Sequence, residues 1–383
     1  MGFGAVIATG DRNVLLRDDL VSCLTEIRVE QSLDDPTRFA VQFENDICGG
    51  KFEVMDAPEL QCGTMITIAV PVGSKLKCLV RGPITEASSD FMLGGPGSSY
   101  RIQGEDRRIE LDRERIPRRW TGLASEAAEA ILKGKFKTNI QKTKVNYGGN
   151  SQGQPVRETL NQRSTDADFL ASIARENNFC LWLEYGCRAL GDSLGVEETA
   201  NLKPSPPRPD NAAPEGPPPL VPTTTAKLRV NVAGANCPNV TTFRLKMEAE
   251  RPNRFKGTHL NDREVKARPA EALDPQPAIR KEGRRFPGAE VVRDACVVTA
   301  GNEEELQARA EASLTAAGWF LNASASTTAH MLNDVLLPHD VIEVEGLGDV
   351  HDGPYQVRSV THVINAADHY MDLELRRNAL GKA

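Results

Sequence analysis

Apolar side chains recur at every second position in several short stretches of the first hundred residues. Ile27 and Val29 share one side of a strand, with Arg28 and Glu30 on the other. After the turn SLDDPTR, where Pro36 fixes φ and Asp34-Asp35 cap locally, Phe39, Val41 and Phe43 resume the alternation. Further strands are predicted around Met65 to Val70, Lys75 to Val80 and Ser99 to Gly104. Short alternating strands separated by Gly and Pro predict a small barrel or sandwich over 1–108.

The period lengthens over 109–190. Thr121 is a candidate N-cap, Leu123, Ala127 and Ile131 share a helical face, and Gly134 is placed to end the helix. A second helix is capped by Thr165, with Asp168 at the third helical position and Ala167, Leu170, Ile173 and Ala174 as its buried stripe. Asn177-Asn178 break it, and FCLWLEY follows as a strand, so this region reads as an α/β insert. Residues 204–222 hold nine prolines, which suits an extended linker or loop spanning 191–225. Strands return over 226–300. A helix capped by Asn302 and Glu305, with Leu306, Ala310, Leu314 and Ala317 inward and Gly318 at its end, then opens a last segment, 301–383, that finishes as strands.

The opening pattern is written twice. At an offset of 216 residues, Arg28 meets Arg244, Pro36 meets Pro252, Arg38-Phe39 meets Arg254-Phe255, and Asn45-Asp46 meets Asn261-Asp262. Residues 79–85 can be set against 356–362, and Tyr100 to Gln103 against Tyr370 to Leu373. The order hairpin, strand, strand, strand therefore occurs in both halves. A trimer of such a chain would present six similar modules around its axis.

Composition narrows the chemistry. A chain of 383 residues with 40% hydrophobic and 26% charged residues has the make-up of a folded, multi-domain protein. A net charge of -7 argues against wholesale binding of a polyanion, and 5% aromatics against a sugar- or base-stacking surface. No apolar run is long enough to span a bilayer, and the start MGFGAVIATGDRN is not a secretory signal. The cysteines (23, 48, 62, 78, 180, 187, 237, 296) form no CxxC pair and read as reduced thiols, so no metal and no cofactor is expected. Gly149-Asn150-Ser151-Gln152-Gly153 matches G-x-S-x-G, but the following QGQPV will not start the helix that a nucleophile elbow needs. His351, His362 and His369 fall in a turn, a strand and a strand start, and are read as surface or strand residues. Arg107-Arg108, Arg113, Arg115 and Arg118-Arg119 alternate with acids, as on a solvated or subunit-facing surface.

Three segments carry a family resemblance. TLNQRSTDADFLASIARENNFCLWLEY (159–185), with Asp166, Asp168, Phe169, Leu170 and Ala174, resembles a conserved-type segment of phage late control D proteins, the tail hubs of contractile phages, related to the hub portion of type VI secretion spikes. SYRIQGEDRRIELDRER (99–115) resembles their strand leading out of the first barrel. The closing stretch 344–378 resembles their last segment, with the Gly346 and Gly348 turn, the Tyr355, Val357 and Ser359 strand, and Leu375-Arg376-Arg377-Asn378. The resemblance implies an α+β, mainly β fold: two similar tube-like β-barrels with α/β insertions and a proline-rich loop. It implies a non-enzymatic homotrimer joining a six-fold tail tube protein to a separate three-fold central spike protein, among other baseplate proteins. Genome DNA would pass through the lumen without specific binding, with no membrane insertion. The place implied is the virion tail baseplate, assembled in the host bacterial cytoplasm. The competing expectation is a tail-tip cell-wall hydrolase resting on Ser151 or an unidentified carboxylate pair.

Overall fold

A computed structural model describes residues 4–45, 52–92, 97–148, 159–206, 220–232, 237–261, 266–273, 291–296, 300 and 303–381. Among these the chain is mainly β, and most strands join one 16-stranded sheet. Its first part comprises β1 (Val6–Thr9), β2 (Leu24–Ser32), β3 (Arg38–Asn45), β4 (Met65–Val72), β5 (Lys75–Asp90) and β6 (Ser98–Glu105), paired in the order β1-β4-β5-β6-β3-β2. The alternation has its expected effect. Ile27, Val29, Phe39, Val41, Phe43 and Ile102 are buried in a core continuous with that of the C-terminal half.

The middle region contributes α1 (Ala124–Leu132), α2 (Asp166–Glu176), β7 (Cys180–Leu190) and β8 (Ser193–Lys203). Helix α2 is capped as its sequence predicts: the Asp168 amide donates to Thr165 Oγ1 at 3.2 Å. Phe169, Leu170, Ile173 and Ala174 fill a separate core with α1 and β7. Helix α1 starts later than Thr121. Its first turn is closed by Glu126, whose carboxylate accepts from the Leu123 amide at 3.0 Å, and Leu123 precedes the helix. Strands β7 and β8 pair antiparallel along their whole length, and Ser193 pairs with Val14, so the insert extends the main sheet.

The C-terminal half adds β9 (Thr242–Met247), β10 (Arg254–Asn261), β11 (Lys266–Leu273), α3 (Glu303–Ala317), β12 (Leu321–Thr328), β13 (Val341–Glu345), β14 (Gly353–Asn365) and β15 (His369–Arg377). Leu306, Ala310 and Leu314 of α3 are buried; Asn302, its expected cap, lies outside the described residues. So does most of the proline tract.

Among the described residues no closed barrel is detected: the strands form one open path in which long strands change partners midway. Strand β5 pairs with β4 over Lys75 to Pro83 and with β6 over Ile84 to Asp90. Nor do residues 243–262 form a second hairpin. Strand β9 pairs with β12, whereas β10 pairs with β11 and with residues 294–296 in a separate sheet. The segment 248–320 is inserted between the first two strands of the second copy, a position that a constant offset of 216 cannot reveal.

Candidate assembly surface

With that insertion removed, the two halves repeat strand for strand. The first runs β4-β5-β6-β3-β2 and the second β13-β14-β15-β12-β9. Registers coincide as well. Val29 pairs with Phe39, Phe39 with Gly104 and Gly104 with Ile84; in the second copy Leu245 pairs with Ala323, Ala323 with Leu375 and Leu375 with Val357. A β-bulge follows at once in both, between Ile84 and Glu86 and between Val357 and Ser359. A bulge of one residue resets the alternation of faces, so its recurrence at the same step ties the two backbones closely. Side-chain volume is exchanged across the row: Phe39 lies over Gly104, where a Cβ would meet its ring at 2.5 Å, while Ala323 sits beside Leu375. Of the sequence matches, Arg28 with Arg244 is kept. The later blocks shift, since Ile84 corresponds to Val357 and Ile102 to Leu373.

The halves are stitched together by β2 and β14. Ile27 pairs with Ile364, Val29 with His362 and Gln31 with Val360, all in antiparallel register. The histidines missed as a pair lie here. His362 Nδ1 is 2.9 Å from His369 Nε2, and His362 Nε2 is 3.0 Å from Gln31 Oε1, while Gln31 Nε2 donates to Leu79 O at 2.7 Å. Because Gln31 uses its NH₂ on that carbonyl, its oxygen must accept, so His362 carries its proton on Nε2 and accepts from His369. Burial pushes the His362 imidazole well below its ordinary value and His369 down to about 4. Both are neutral structural residues, not surface ones. The signal was available: Gln31, His362 and His369 are polar residues standing in the apolar register of β2, β14 and β15.

The remaining singled-out residues fall into two structural groups. Asp166 Oδ1 accepts from Arg118 at 3.1 Å and Gln162 at 2.6 Å, Phe169 stacks on Trp120, and Leu170 and Ala174 are core; Asp168 is exposed. In the closing segment Arg377 is fully buried. It donates to the His351 carbonyl at 3.1 Å and the Asp352 carbonyl at 2.8 Å, also to Gly381 O, and lies over the Tyr355 ring. Tyr355 donates to His351 O at 2.8 Å, and the Gly348 carbonyl accepts from the His351 and Asp352 amides. Gly346, at φ +95°, approaches the Asn231 backbone so closely that a Cβ would clash. Arg376 donates to Gln356 and stacks on Trp319, with burial lowering its pKa to about 10. Leu375 and Val357 pair in the core, Ser359 follows the bulge, and Asn378 is buried. These residues assemble the terminal sheet and its turn.

The arginine-rich run is mixed: Arg113, Arg115 and Arg119 are exposed, as a solvated face expects, whereas Arg107, Arg108 and Arg118 are held in structural ion pairs. Arg108 is buried against Asp106 at 2.8 Å and reaches Leu181 O and Asp35 O, joining the end of β6, the β2–β3 turn and β7. Arg107 holds Glu198 at 2.6 Å, a carboxylate that Arg81 also grips. Among the described residues no cluster of His, Cys, Asp or Glu could hold a metal, and Ser151 lies outside them.

No family model and no curated protein matches the sequence. The fold does have solved counterparts. The 43 kDa tail protein of prophage MuSo2 from Shewanella oneidensis is 13% identical, with 98% of each chain covered and a TM-score of 0.60. A tail protein from Neisseria meningitidis is 12% identical over 98% of this chain and 96% of that one, also with a TM-score of 0.60. An E. coli component of the type VI secretion system, described as similar to T4 tail proteins gp27 and gp5, is 13% identical over 92% and 73%, with a TM-score of 0.50. At such identity the likeness is one of fold, and that fold is shared with phage tail proteins and a type VI secretion component, as the family resemblance leads one to expect.

Proposed function

We propose that the chain is a structural, non-enzymatic baseplate hub of a contractile phage tail or related injection machine, working as a homotrimer between a six-fold tail tube and a separate three-fold spike. The observation that carries this is the repeated five-stranded module with its coincident bulge. Three copies supply six near-equivalent modules to a hexameric tube, while the insertions, which occur in different places in the two halves, keep the chain three-fold towards the spike. The polar face of the joined sheet supports passage of DNA without capture. It carries Glu26, Glu30, Glu86, Asp90, Asp372 and Glu374 interspersed with Arg28, Arg101 and Arg244. A surface of mixed sign lacks the positive excess by which phosphate backbones are held. The domain limits and the closing Gly346–Asn378 segment belong to the same reading, as parts of the module that faces its neighbours. Mass photometry of the purified chain should give a trimer, and class averages in electron microscopy should show a ring with six similar lobes. A chain that stays monomeric with both tube and spike proteins present would refute the proposal.

A further inference from the structure

The junction inside the chain has an unfilled counterpart on its outside. Strand β14 is covered after its bulge by β2, leaving Val360 1%, His362 0% and Ile364 0% exposed. In the first module the corresponding residues are Ala87, Ser89 and Phe91, just beyond the reach of β4, which pairs only as far as Pro83. Ala87 is exposed, Phe91 is 59% exposed despite an edge contact with Phe52, and Met92 is 58% exposed. The strand that would cover them, by analogy with β2, is β9. Its outer edge is unpaired among the described residues, with Leu245 37% and Met247 47% exposed, whereas Ile27 and Val29, the β2 counterparts of Phe243 and Leu245, are at 0%. Within one chain β9 does not pair with this part of β5 among the described residues, so each edge is left for another copy.

We propose that β9 of one copy pairs antiparallel with the Glu86–Met92 stretch of the next, repeating between chains the β2–β14 junction found within each. The hub reading supplies the number of copies; the strand edges and register come from the repeat. Transposing the internal pairs sets Met247 opposite Ala87, Leu245 opposite Ser89 and Phe243 opposite Phe91 on the core face. On the polar face Arg244 falls opposite Asp90, so the register derived from backbone equivalence also pairs opposite charges. The partner is a second copy of this chain, because the Glu86–Met92 stretch of the first module is the equivalent of the β14 edge that β2 covers within each chain. A contact between two different edges of one molecule is head-to-tail, and with a rotation of one third of a turn it closes into a ring of three.

The test uses the full chain with Arg244→Glu, Asp90→Arg, and both together, followed by mass photometry over a dilution series. Each single reversal sets like charges opposite one another. If it weakens a junction ~5-fold, the three junctions of a ring lower the trimerisation constant ~100-fold, and the double variant should return most of it. Phe243→Asp should leave monomers that still unfold cooperatively, with a thermal transition only modestly below that of the wild type at the same monomeric dilution, because Phe243 is half-buried. Cysteines placed together at 244 and 90 should cross-link chains under mild oxidation, and a pair at 246 and 90 should not. A trimer indifferent to both reversals, or one that the double variant fails to restore, overturns this pairing and leaves the hub reading standing. A wild-type chain that never associates overturns both.

Discussion

The two modules solve the same backbone problem with opposite chemistry. Just past the Gly104–Leu375 correspondence, Asp106 in the first module stands where Arg377 stands in the second. Both are buried. Asp106 accepts from the Thr37 amide and from Arg108; Arg377 donates to the carbonyls of the turn at His351 and Asp352. The other difference lies at the outer strand: β2 is closed over by β14, whereas the outer edge of β9 is unpaired among the described residues. Strand order and bulge are therefore what is repeated, while the side chains at equivalent positions diverge: Asp106 binds an amide and a cation, and Arg377 binds carbonyls through its terminal nitrogens. The open edge marks the second module as incomplete in a single chain.

The largest effect should come from Arg108→Met, which leaves Asp106 buried without its cation and removes the tie to β7. Breaking a buried pair from one side costs ~3–5 kcal/mol, readable as a shift of the urea midpoint. Asp106→Asn added to it should recover part of the loss. A cost below ~1 kcal/mol would mean that the latch is not what holds the insert to the first module.

Next come the paired positions Ile27 and Phe243. In dilute monomer, Ile27→Ala should cost ~2–5 kcal/mol, as for other truncations in a packed core. Phe243→Ala should stay within ~0.5–1 kcal/mol, because its side chain is only half-buried in one chain. Equal costs would mean that β9 is already covered within the monomer, and the contrast between the modules would disappear.

What could be read from the sequence follows from how local each signal is. The strand alternation, the Thr165 cap and the Leu306–Leu314 stripe depend on neighbours a few residues away, and the structure carries them where the pattern puts them. The duplication was visible through Arg28 and Arg244, but its second strand was assigned to β10 because a rigid offset favours the nearest alternating stretch. Only strand pairing reveals β12. In the arginine run the exposed Arg113, Arg115 and Arg119 fit the solvated face that alternating signs suggest, but the ties of Arg107 to Glu198 and Arg108 to Asp106 depend on partners that no local pattern reveals. Gln31, His362 and His369 could have been noticed, since each breaks an apolar register, although their convergence needs the β2–β14 junction.

That junction also sets an expectation for acid stability. Both histidines titrate below their unfolded value, so the unfolded chain takes up protons first, and stability falls as pH drops from ~6.5 towards the folded value of about 4 for His369. For His369 alone the loss between pH 8 and pH 5 is about 2 kcal/mol. Burial raises the Asp340, Glu343 and Glu176 carboxyls, which then contribute in the opposite sense on acidification, so the comparison is made between variants. With His362→Gln and His369→Asn combined, the urea midpoint should depend less on pH over that window than in the wild type, even if the variant is less stable throughout. The second module has no counterpart of this pair at the open edge, where Leu245 would face Ser89, so the internal seam should loosen with acid and the seam between chains should not. Equal acid sensitivity of the trimer and of the chain itself would contradict this.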